Sequence, residues 1–114
     1  QSRLAVITTA MPDTAEGRSR RDVYALPTSP PPKAMYTAEL SWDKLSTHTA
    51  DLGSFLPLAA LEERQTLGEI GSLSPSFFTV PTDYSQRNTQ ERDAPLLLEK
   101  LRGEAADIAL LVPL

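Results

Sequence analysis

The chain has 114 residues, 11 Lys and Arg against 15 Asp and Glu for a net charge of −4, ten prolines and no cysteine. That length fits one domain with one modest core. The acidic balance, a single Trp and the lack of a Lys/Arg cluster beyond Arg18, Arg20 and Arg21 set a nucleic-acid groove aside. Zero cysteine excludes disulfides, Cys-ligated zinc, iron–sulfur clusters and any thiol chemistry carried by these residues. No apolar run approaches the roughly 20 residues needed to cross a bilayer, and the start lacks the layout of a secretory signal, so a soluble, cytoplasmic protein is expected.

Residues 4–9, LAVITT, form a continuous apolar and β-branched run, the pattern of a strand covered on both faces. Residues 13–21, DTAEGRSRR, mix Gly with charge without periodicity and read as a surface loop. Residues 22–26 suit a short strand. The Pro-rich stretch at 27–33 must then be extended, because each proline ring fixes φ and removes a donor. Residues 34–40 suit another strand. Pro57 at a first-turn position, apolar Leu58, Ala60, Leu61 and Leu67, and Gly68 as a stop predict a short amphipathic helix. Residues 77–80 read either as a short strand or as an extended loop near a site. From Thr89, a capping Thr or Asp, Pro95 near a first turn, Leu97, Leu98 and Leu101 on one face and a weakening at Gly103 predict a second helix. Residues 107–114, DIALLVPL, read as a strand central to a parallel sheet.

Strand, helix, strand with short connections implies right-handed crossovers and a parallel sheet. The expected fold is a single α/β domain over residues 1–114, or the N-terminal part of one: βαβ layers forming an incomplete doubly wound, flavodoxin-like sheet. Such a sheet ordinarily continues from a central strand into a covering helix. The native polypeptide or a second chain is therefore expected to carry the fold past Leu114, over an apolar surface that must be covered. Ligands in sheets of this kind gather at the carboxyl ends of strands, here at residues 8–11 and 112–114.

Candidate chemistry is sparse. His48 is the only histidine, with Asp43 and Asp51 near it in sequence, and an imidazole oriented by a carboxylate is the usual general acid or base. In a Ser/Thr/Asp segment a lone histidine is more often a capping or solvent-facing residue. One His with Asp and Glu makes no metal site of transition-metal character. The segment with Gly68, Gly71, Ser72 and Ser74 reads as an anion-binding turn or simply as a turn, without the Lys of a P-loop. Thr8 and Thr9 offer hydroxyls to a ligand or to the backbone.

Read together, RLAVITTA at 3–10, LSTHTADLGSFLPLAALEERQTLGEIGSLSPSFF at 45–78 and RDAPLLLEKLRGEAADIALLVPL at 92–114 resemble the glycine/sarcosine/betaine reductase component B and D-proline reductase selenoprotein family. The residues that carry the resemblance are Asp51, Gly53, Phe55, Leu56, Pro57 and Leu58, then Gly68, Ile70, Gly71, Ser72, Ser74 and Pro75, then Asp107, Leu110, Leu111 and Pro113. Gly53 departs from the Asn of the family's Asp-x-Asn, and the stretch between His48 and Asp51 is compressed. The resemblance implies a selenocysteine or cysteine one or two residues after Pro113. It also implies a partner carrying a pyruvoyl group and a small amino-acid-like substrate whose C–N bond is cleaved reductively by a selenolate or low-pKa thiolate. Thr8, Thr9, Ser72 and Ser74 would line the substrate site, with His48 as proton donor to the leaving amine. The alternative is a non-catalytic binding or scaffold subunit that completes its sheet against a second chain or a second copy. An isomerase or racemase would need a paired acid and base.

Overall fold

The computed structural model describes residues 2–20, 22–37, 53, 56–81 and 85–113. In chain order the elements are β1 (Arg3–Thr8), β2 (Met11–Pro12), α1 (Ala15–Ser19), β3 (Tyr24–Pro27), β4 (Met35–Tyr36), α2 (Leu58–Thr66), β5 (Ser72–Leu73), β6 (Ser76–Thr79) and α3 (Gln86–Asn88). A π-helical turn (Thr89–Asp93), α4 (Ala94–Gly103) and β7 (Ile108–Val112) complete the set.

β1 is the spine of the sheet. Along one edge it pairs in parallel with β7, from Leu4↔Ile108 to Thr8↔Val112. The other edge is shared by β5, at Arg3↔Ser72 and Leu4↔Leu73, and by β6, at Ile7↔Phe78 and Thr8↔Thr79, both parallel. β3 closes the far side antiparallel to β6, with Tyr24 opposite Thr79. The order β3-β6-β1-β7 thus places the three long parallel strands second, first, third in chain order.

Strand alternation divides the core between two faces. Val6 and Phe77 turn to one face, where Leu58 and Leu61 of α2 pack with Leu56, Met35 and Val112. Ala5, Ile7 and Phe78 turn to the other, under Leu97 and Leu101 of α4 with Val80 and Ala106. Helices on opposite faces of a mostly parallel sheet make this the flavodoxin-like, incomplete doubly wound α/β fold. β2 and β4 form a separate two-stranded antiparallel ribbon. α1 lies so close to that ribbon that a Cβ on Gly17 would stand 2.1 Å from the Pro12 carbonyl oxygen, so only glycine fits.

Several elements differ from the sequence expectation. The stretch read as a loop at 13–21 contains α1, because the Thr14 hydroxyl accepts from the Gly17 N–H at 3.0 Å and caps one short turn. The strand expected at 34–40 is reduced to two residues outside the main sheet, with 38–40 outside the described residues. Residues 76–79 are a strand, settling the ambiguity at 77–80. The second long helix begins earlier than Thr89, at a Ser85 cap whose hydroxyl accepts from Asn88 N–H at 3.2 Å. Leu98 is 46% exposed while Leu97 and Leu101 pack inward, since adjacent helical residues cannot share a face.

The largest difference is β7. Its apolar run suited a central strand, yet among the described residues it is a border strand with Ile108 50%, Leu110 37% and Leu111 66% exposed. Its register with β1 puts Ile108 and Leu110 on the face of α2, and Ala109 and Leu111 on the face of α4. Neither helix reaches far enough to cover it. The apolar surface expected near the C-terminus is therefore present, on both faces at once.

Both main helices end in the same device. After α2, the Gly68 N–H donates to the Gln65 carbonyl and the Glu69 N–H to the Arg64 carbonyl, with Gly68 at φ 78°. After α4, the Ala105 N–H donates to Arg102 and the Ala106 N–H to Leu101, with Ala105 at φ 56°. These are paired Schellman caps, one with glycine at the left-handed position and one without. Gly103, where the helix was expected to weaken, is its last helical residue. Because the left-handed conformation costs an L-residue about 1–2 kcal/mol, partly offset by glycine's larger unfolded-state entropy, Ala105→Gly should raise stability by about 0.5–1 kcal/mol. A urea midpoint moved upward at unchanged slope checks this.

Candidate functional site

From β1 the chain reaches β6 by way of α2 on one face. From β6 it crosses back over β1 to β7 by way of α4 on the other face. This reversal makes a switch point in strand order, and open α/β sheets bind their ligands at the carboxyl ends of the strands beside such a point.

That ledge is tightly built. The Thr8 hydroxyl donates to the Val112 carbonyl at 3.0 Å and accepts weakly from the Ala10 N–H at 3.4 Å, while the Thr8 carbonyl accepts from Val80 N–H at 3.0 Å. Thr8 is buried and thereby welds the ends of β1, β6 and β7 together, the backbone-serving reading of its hydroxyl. Thr9, half-buried, follows directly after the carboxyl end of β1. Thr79 is buried too, accepting from Tyr24 N–H at 3.1 Å.

Charge gathers beside the ledge where β3 begins. Asp22 accepts from Val23 N–H at 2.8 Å and from Arg92 at 3.1 Å, and lies 3.4 Å from Arg20. Arg92 belongs to the π-helical turn, so this ion pair ties the start of α4 to the edge strand. The Tyr24 hydroxyl donates to the Arg20 carbonyl at 2.7 Å. Burial, then the charges of Glu16 and Asp22, raise its phenol above the ordinary value despite Arg20, keeping that donor protonated. Asp93, which ends the turn, is 3% exposed. It precedes Leu97 by four residues and Leu101 by eight, so it occupies the amino-terminal position of the helical stripe that packs on Ala5, Ile7 and Phe78. In the sequence its signal is a carboxylate at helical spacing from the apolar stripe. π-Helical turns recur at functional sites.

Ser72 and Ser74 stand elsewhere. Ser72 pairs with Arg3 at the start of β1, about 16 Å of strand from Thr8 at roughly 3.3 Å per residue. Its hydroxyl accepts from Arg3 Nε at 3.4 Å. The buried Ser74 hydroxyl donates to Glu104 Oε1, which also accepts from Ser76 N–H at 2.9 Å. Arg3 completes the lock: its Nη1 donates to the Glu104 carbonyl at 2.7 Å and its N–H to Asp107 Oδ2 at 2.9 Å. Burial alone would raise the Glu104 carboxyl. Hydrogen bonds from Ser74 and Ser76 and the charge of Arg3 outweigh it, leaving the group below its ordinary value.

The structure thus brings Thr8 and Thr9 together at the carboxyl ends and sets Ser72 and Ser74 at the amino ends, where they anchor the α4–β7 connection. The Gly68–Ser74 stretch is a helix cap followed by a strand, with Glu69 and Ile70 lining an open cavity of about 360 Å³ alongside Leu4 and Ile108. His48, Asp43 and Asp51 lie outside the described residues. Among the described residues, no three His, Asp or Glu side chains gather as a metal site, and no helix is long and apolar enough to cross a membrane. No family model, curated protein or solved structure matches the chain.

Proposed function

We propose that this chain is the platform of a reductase of the glycine/sarcosine/betaine reductase component B and D-proline reductase kind, forming the N-terminal part of a subunit that cleaves a C–N bond of a small amino-acid-type substrate. The observation that supports this reading is the seat of β7. It lies parallel to β1 through five residues, its last carbonyl is fixed by Thr8, and it ends at the carboxyl edge of the sheet. A nucleophile just after Pro113 would be held there against rigid strand ends, as positioning of a reacting group requires.

A selenolate or thiolate following β7 would supply the attack on the α-carbon, and a partner's pyruvoyl group would hold the substrate nitrogen. What the present residues contribute is placement. Thr8 fixes the strand ends, Thr9 would offer its hydroxyl to the substrate from the carboxyl end of β1, and His48 is assigned the proton for the departing nitrogen. Net cleavage consumes two electrons and two protons, taken from a dithiol that ends as a disulfide, and yields one C–H and one N–H bond.

The native complex containing this chain, assayed anaerobically with a dithiol and N-substituted small amino acids, is expected to release free amine, one for each dithiol oxidised, and to lose this activity on alkylation. Absence of amine release, or release insensitive to alkylation, overturns the proposal.

A second reading, a non-catalytic subunit that completes its sheet with another chain, draws on the open edge and two uncovered faces of β7. Pairing with β7 of a second copy would fill the edge but leave both faces bare over the two abutting strands, a gap of about 10 Å at roughly 4.8 Å per strand, one helix wide. The covering element must therefore bring helices as well as a strand, which favours an α/β partner or continuation over a bare self-dimer. Alkylation-sensitive turnover by the complex separates this reading from the first.

A further inference from the structure

We draw no further inference here: the strongest candidate, the open edge and paired apolar faces of β7 at the border of the sheet, belongs to the sheet-completing surface already described, and nothing in the structure shows what molecule covers it.

Discussion

Replacing Phe78 by Ala should destabilise the chain by about 3–5 kcal/mol, enough to remove much of the roughly 5–15 kcal/mol that holds a domain of this size folded. Phe78 is fully buried and stands on the face where α4 packs, touching the cluster of Ala5 and Ile7 with Leu97 and Leu101 above. The neighbouring Phe77 does the same for the opposite face. One strand of four residues therefore nails both helical layers to the sheet, and the cavity left by either ring cannot be refilled from the surface. Thermal or urea unfolding followed by circular dichroism checks the size of the loss. A cost below about 1 kcal/mol would mean that α4 does not pack over β6 as described, since full burial of an aromatic ring accounts for more than that.

Glu104→Ala should cost about 1–2 kcal/mol, the scale for hydrogen bonds to a charged group whose removal leaves a buried partner unpaired, reduced here by partial exposure. It strands the Ser74 hydroxyl and the Ser76 N–H, and it loosens the turn that delivers the chain from α4 to β7. Hydrogen exchange should consequently accelerate at 108–112 more than in β6. Because the folded carboxyl titrates below its unfolded value, its contribution is complete above the ordinary carboxylate range and disappears as pH falls through the lowered folded value. Glu104→Gln keeps an acceptor oxygen but no charge, so it should lose less stability at neutral pH and flatten the acid limb of the stability profile. An unchanged acid limb in that variant would show that Glu104 is not the group responsible.

Much of the fold was legible because periodicity and punctuation agree. The LAVITT run, the Pro57 to Gly68 helix and the Leu97/Leu101 stripe each state a burial requirement locally, and the sheet meets them. Where the requirement is set by distant neighbours, local pattern misleads. The IALLV run reads as central because its side chains need cover on both sides, but whether cover exists depends on what lies beyond β7. Gly103 resembles a helix stop, while the actual stop depends on Ala105 adopting a conformation that alanine seldom takes. α1 was hidden by its five residues, too few for a period to register, although Thr14 three residues before Gly17 is a recognisable cap.

The site was less legible than the fold. Thr8 and Thr9 do stand at the carboxyl end of β1, a placement that follows from topology before any side chain is inspected. Ser72 and Ser74 looked similar in composition, and only register shows that they belong to the other end of the sheet. Arg3 lies about a hundred residues before Glu104 and Asp107, with which it holds β7 in place, so no local motif links them.

The cysteine-free composition, which at first excludes thiol chemistry, acquires a different meaning beside the seat of β7, because the reductase proposal puts the nucleophile immediately after that strand. Peptide sequencing by mass spectrometry of the native gene product through and beyond Val112 tests this most directly. The expected result is a selenocysteine or cysteine within one or two residues after Pro113, on a polypeptide heavier than 12.5 kDa. A native product that ends at Leu114, purified with no second chain that supplies such a residue, would contradict it.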